Sequence, residues 1–160
     1  MFDEILRLLT ASSALHHLRV VELIAFGQNT FRAKLRADVA DELAFQAWLN
    51  HNHRNTRYAY QLFLHDQPIL RWDNAPHHPE QSENFPHHFH DENGQLKPSP
   101  LSGNPISDLP IVLSSITAQG RVAAPQGEPA WSCGAKDKPD SCVSDSRVPW
   151  TKRQQHRAAV

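Results

Sequence analysis

Apolar positions near the N-terminus fall at Phe2, Ile5, Leu6 and Leu9, the spacing of one helix face, which predicts a short amphipathic helix over 2–10. Leu18 to Phe26 (LRVVELIAF) is β-branched and apolar at nearly every position, the pattern of a central strand covered on both faces. Gly27-Gln28-Asn29 then signals a turn. From Thr30 to Arg36 the chain alternates: Phe31, Ala33 and Leu35 point one way, and Arg32, Lys34 and Arg36 the other. The segment 41–51 fits two patterns. Leu43, Phe45, Ala47 and Leu49 alternate as in a strand, while Ala40, Leu43, Ala44 and Ala47 fit a helix. A strand continues the meander, and that is the expectation. Thr56 to Leu64 and Ile69 to Asp73 read as a hairpin turning through Asp66-Gln67-Pro68.

After Asn74 the pattern breaks. His77 to Asn104 is expected to be mostly loop, punctuated by five prolines from Pro79 to Pro105. A second helix is expected near Ile106, capped by Ser107 or Asp108, with Leu109, Val112, Leu113 and Ile116 as its buried stripe. Beyond Thr117 periodicity is lost. The expected architecture is therefore α+β: an antiparallel sheet of about five strands with an N- and a C-terminal helix, a His-rich loop, and a disordered C-terminal tail. The domain is expected at 1–117 and the tail at 118–160, with Trp131 and Trp150 as isolated aromatics in it.

Composition adds constraints. At 160 residues the chain fits one domain. Its formal charge of −1 excludes a global basic field, so any nucleic-acid surface has to be local. The row Arg32, Lys34 and Arg36 is the one candidate: either a solvated sheet face or a phosphate-binding stripe. No segment has the roughly 18 apolar residues of a membrane helix, and MFDEILRLLTASS lacks the features of a secretory signal. Cys133 and Cys142 both fall in the tail. A cytoplasmic location and no disulfide framework are expected.

The sequence holds eleven histidines, and five of them crowd into Arg71–His90, RWDNAPHHPEQSENFPHHFH. Three readings compete. The first is acid–base catalysis: His77, His78, His87, His88 and His90 are candidate proton carriers, with His78 and His88 as the leading pair. Arg71 would steady a phosphate and Asp73 would orient a ring. Such a site needs no metal. In the second reading His87, His88 and His90, with His77 or His78, ligate a metal beside Glu80 or Asp91, although no established zinc spacing is present. In the third, the rings pin a proline-rich loop; five histidines beside an Arg and an Asp lower the weight that a lone histidine would give it.

RWDNAPHHPE (Arg71–Glu80) followed by FPHHFH (Phe85–His90) resembles the signature of the TumE-like family. The resemblance extends over about residues 1–117 and includes PSPLSG and DLPIVL between Pro98 and Leu113. The spacer Gln81–Asn84 is slightly longer than the family pattern, and nothing after Thr117 matches it. The resemblance implies a toxin of a bacterial toxin–antitoxin pair, partnered by a small helix-turn-helix antitoxin. It assigns no catalytic residues, so the roles above rest on chemistry alone. The expected function is a metal-independent ribonuclease toxin without a cofactor, with RNA as substrate. The alternatives are a non-enzymatic protein-binding module and a His-ligated metallohydrolase.

Overall fold

The computed structural model describes residues 1–123 apart from Gln28, Asp41, Gln81 and Ser82, with only the backbone at 120–123. The expectations for Trp131, Trp150, Cys133, Cys142 and the tail from residue 124 onward lie outside the described residues. Helix α1 (Phe2–Ala11) is followed by seven strands, β1 (His16–Gly27), β2 (Thr30–Ala40), β3 (Leu43–His51), β4 (Thr56–Leu64), β5 (Gln67–Asp73), β6 (His88–His90) and β7 (Leu96–Pro98). Helix α2 (Pro105–Ala123) closes the fold. The strands form one antiparallel meander in sequence order.

One face of this sheet is the core. Phe31, Ala33, Leu35 and Ala37 of β2, Phe45, Ala47 and Leu49 of β3, and Tyr58, Tyr60 and Leu62 of β4 are buried in alternation, as period-two patterning requires. Ile5 and Leu9 of α1 and Leu109, Val112 and Ile116 of α2 are fully buried with them. Phe2 meets Phe31 edge to face at 5.3 Å, which fixes α1 over the start of β2. Both helices therefore serve the same face, and among the described residues the other face of the sheet stays open.

Several expectations need correction. There are seven strands instead of about five, because the segment expected to be loop contains β6 and β7. Trp72 of β5 stacks on Phe89 of β6 at 4.8 Å, and that apolar contact lets a three-residue strand pair with β5. The LRVVELIAF strand is at the sheet edge and not central; its apolar residues are largely exposed. The β4–β5 turn is the two-residue His65-Asp66, both at positive φ (48° and 64°), the primed-turn geometry that suits strand twist. Pro68 is inside β5, on the half that β6 does not reach, where a missing N–H costs no ladder bond.

Helix α2 begins earlier than expected. The Asn104 side chain accepts from Ile106 N at 3.1 Å and Pro105 takes the first turn, so Asn104 is the cap. Asp108, buried, holds the preceding loop instead by accepting from Ser102 N, Ser102 Oγ and Gly103 N at 2.8–2.9 Å. The helix also continues to Ala123, past the point where apolar periodicity ends.

Candidate active site

The polar positions of the central strands point to the open face and line up across the sheet. Arg36 pairs with Gln46, Gln46 with Gln61, Gln61 with Arg71, and Arg71 with His90. In the adjacent rung Lys34 pairs with Trp48, Trp48 with Ala59, Ala59 with Asp73, and Asp73 with His88. Opposed residues in a ladder share a face, so the basic row of β2 and the acidic and histidine end of β5–β6 occupy one surface. Three strand spacings, about 14 Å, separate β2 from β5. Gln46 Nε2 donates to Gln61 Oε1 at 3.1 Å in the middle of the lane. Arg32 is exposed and Lys34 half-buried. Arg36 is partly engaged, 3.5 Å from Asp66 and with its guanidinium 5.3 Å from the Phe63 ring centre.

At the far end four imidazoles meet. His78 is 4.4 Å from His77, 4.9 Å from His88 and 5.6 Å from His90 between ring centres; His88 is 5.3 Å from His77 and 5.2 Å from His90. Asp73 lies beneath them, 1 % exposed. It accepts from Arg71 Nε at 2.6 Å and from Ala75 N at 3.0 Å, and one oxygen is 3.1 Å from His88 Nε2. That last contact is close enough for an ion pair, but the ring is not aligned for an N–H···O bond, and Nε2 is buried without a hydrogen-bond partner. The other ring nitrogen, Nδ1, donates to the Pro86 carbonyl at 3.0 Å, since a carbonyl can only accept.

The loop geometry comes from side-chain amides. Asn74 accepts from Tyr58 N at 3.0 Å and donates to Thr56 O at 2.7 Å, tying the segment after β5 to the start of β4. Asn84 donates to Ser99 O and Leu101 O at 2.7 and 2.8 Å and anchors the other side. His78 Nδ1 is 3.0 Å from Glu80 Oε1. His90 is held below the ordinary imidazole pKa, first by burial and then by the neighbouring His88 ring, so it is biased to the neutral form.

The structure thus gathers Arg71, Asp73, His77, His78, His88 and His90, and leaves His87 out. His87 points to the opposite side, where its ring stacks on Tyr58 at 5.8 Å and its Nδ1 is 2.9 Å from the Tyr58 hydroxyl. Burial raises Tyr58 well above the ordinary phenol range, so the hydroxyl stays protonated. Burial also lowers His87. The reason is parity: adjacent strand residues face opposite ways, and His87 immediately precedes β6. His88 is 1 % exposed and packed against the rings of His77, His78 and His90. Glu80 faces His78, whereas Asp91 pairs with Lys97 at 2.7 Å and belongs to the β6–β7 turn.

Sequence reasoning missed Trp48, Gln46 and Gln61 on the open face. They could be found only by extending the β2 alternation through a strand at 43–51 and reading the polar-side positions across the register.

Taken together, the architecture is an α+β meander with its helices on one face, and on the other a polar lane ending in an Asp-supported histidine cluster. The family model described as Toxin TumE matches residues 5–119. The chain belongs to the TumE toxin family. No curated protein and no solved structure matches it. Among the described residues no helix is long and apolar enough to cross a membrane.

Proposed function

We propose that this toxin is a metal-independent ribonuclease that binds RNA along the open sheet face and cleaves it at the histidine cluster. It would be restrained in the cytoplasm by a helix-turn-helix antitoxin. The observation that carries the reading is the shared face: Lys34, Trp48 and Asp73 occupy one rung, and Arg36 and Arg71 the next. Cations supply affinity for a phosphate backbone without reading sequence. A half-buried Trp48 offers a surface on which a base can stack.

In the cleavage step the 2′-hydroxyl attacks the adjacent phosphorus. Its proton passes to one imidazole, and the 5′-oxygen leaves with a proton from another, giving a cyclic 2′,3′-phosphate and a free 5′-hydroxyl. His90, biased to neutral, serves as base. His78, with Nδ1 held by Glu80, presents Nε2 and serves as acid. His88 and Asp73 set the ring positions, and His77 lies at the exposed rim. Arg71 gives its Nε to Asp73; its Nη groups meet no carboxylate among the described residues and can hold the phosphate.

One observation favours a second reading, a metallohydrolase. Two sets of three donors, His77–His78–His88 and Asp73–His88–His90, each bring their ligand atoms within 4.8 Å of one another. His88 Nε2 is buried, unpartnered and opposed to a carboxylate, while Nδ1 is fixed as donor by Pro86, as in a metal-ligating histidine oriented by a carbonyl. Imidazoles with a carboxylate suit zinc, manganese or iron.

One experiment separates the readings. Purified protein is incubated with total RNA in excess chelator, alongside His78→Ala, His90→Ala and His87→Ala. Cleavage in chelator that is lost in the first two variants and kept in the third supports the proposal. Cleavage abolished by chelator and restored by zinc or manganese assigns the metal mechanism. Absence of cleavage with and without metal refutes the nuclease.

A further inference from the structure

The outer edge of the sheet is a long strand with apolar side chains on both sides. Natural proteins blunt such edges with short strands, prolines or inward charges, because unpaired N–H and C=O groups template another strand. β1 has three register shifts and the charged residues Arg19 and Glu22, yet it remains long and apolar. It has 12 residues and no proline, and Val20, Val21, Leu23, Ile24 and Phe26 are 41–66 % exposed.

Its pairing with β2 fixes which way each residue faces. Val20 lies opposite Leu35 and Leu23 opposite Ala33, so both point to the core side. Helix α2 packs against β2 and β4 and leaves these two residues open. Arg19 lies opposite Arg36 and Glu22 opposite Lys34, on the open face. The register shifts by one residue between Val20 and Glu22. That bulge puts Arg19 and Glu22 on one face although they are three apart.

From this we infer that the chain forms a homodimer by antiparallel pairing of β1 with β1 of a second copy, about a two-fold axis through Val20. Edge-to-edge pairing about a two-fold keeps each face continuous and is self-complementary, so few registers are possible. An axis at Arg19 sets Arg19 against its own copy, and an axis at Glu22 does the same with Glu22; both oppose like charges. An axis at Leu23 leaves Glu22 facing an isoleucine. With Val21, the extra residue of the bulge, left unpaired in both strands, an axis at Val20 puts Arg19 against Glu22 of the second copy, twice, on the open face. It puts Leu18 against Leu23 and Val20 against Val20 on the core side. Of these four registers only this one is complementary in charge and in hydrophobicity together.

The consequence is a fourteen-stranded sheet, seven strands from each copy, with both β2 basic rows flanking the junction on one continuous face. The inference rests on β1 alone and stands whether or not the histidine cluster cleaves RNA.

The test is sedimentation equilibrium of the full chain. Wild type is expected to be a dimer. Arg19→Glu opposes two glutamates and Glu22→Arg opposes two arginines; each is expected to raise the dimer dissociation constant by about tenfold or more. The double exchange Arg19→Glu/Glu22→Arg recreates the pair in reverse and is expected to restore dimerisation. Arg19 also lies 3.6 Å from Asp38 in its own chain, so circular dichroism checks each fold. Val20→Glu, which opposes two acids at the axis, is expected to dissociate the dimer without touching that ion pair. A wild type that stays monomeric, a dimer indifferent to Val20→Glu, or a folded double exchange that fails to recover overturns the inference.

Discussion

Asp73 is the residue on which the geometry of the cluster depends, and removing it has a calculable cost. Its carboxylate is 1 % exposed and accepts hydrogen bonds from Arg71 Nε and Ala75 N while facing His88 Nε2. In Asp73→Ala the Ala75 N–H and the buried His88 ring lose their counterpart together. Breaking one side of such a buried network costs about 3–5 kcal/mol. The Arg71 contribution is small, because that side chain is 41 % exposed and water replaces much of what it loses. In Asp73→Asn one oxygen still accepts from Ala75 N, and the new amide opposes the Arg71 donor. That loss is about 1–2 kcal/mol. With a urea slope of about 2 kcal/mol per M, the alanine midpoint should fall by about 2 M and the asparagine midpoint by less than 1 M. The assay is urea unfolding at pH 7.5 followed by tryptophan fluorescence. Equal midpoints for alanine and wild type, within about 0.5 kcal/mol, would show that the buried carboxylate does not hold the rings, and the preorganised centre would fall with it.

Further expectations concern the sheet face and the two sides of the loop. Arg32→Ala and Lys34→Ala should each weaken RNA binding for all sequences alike and lower the slope of log affinity against log salt by about one; Arg36→Ala should do less, because Asp66 and Phe63 already engage it. Trp48→Ala should cost about 1–3 kcal/mol of single-strand affinity, read by fluorescence anisotropy, with little change in melting temperature. Tyr58→Phe should destabilise by about 1–2 kcal/mol, since the hydrogen bond with His87 is lost, and RNA cleavage should be untouched. Burial holds His51, His87 and His90 below the ordinary imidazole value of 6.5. Below that value the unfolded chain binds more protons than the folded one, so these groups make stability fall with pH through 6.5 and downward. A urea midpoint lower at pH 5.5 than at pH 7.5, with the drop reduced in His87→Gln, is the expected result; an unchanged drop removes His87 from that account.

The sequence by itself determined the core face, since strict alternation from Phe31 to Leu35 and from Tyr58 to Leu64 leaves one side to bury and one to expose. It also determined both helices, and it marked Arg71–His90, where two His-His pairs and His90 stand beside Arg71 and Asp73, as the candidate segment. Tertiary structure decided what pattern cannot. LRVVELIAF is apolar enough for a central strand, yet among the described residues it pairs with β2 alone and is an edge. Helix α2 starts at Asn104, where a side-chain acceptor reached the first turn before Ser107 could. His88 and His87 are neighbours in the chain and lie on opposite sides of the fold, because the pleat sends one under its neighbours and the other against Tyr58. Which imidazoles converge is fixed by the pairing of β5 with β6, a contact between residues about fifteen to twenty positions apart. Local periodicity has no means of encoding that meeting; the stacking of Trp72 on Phe89 does.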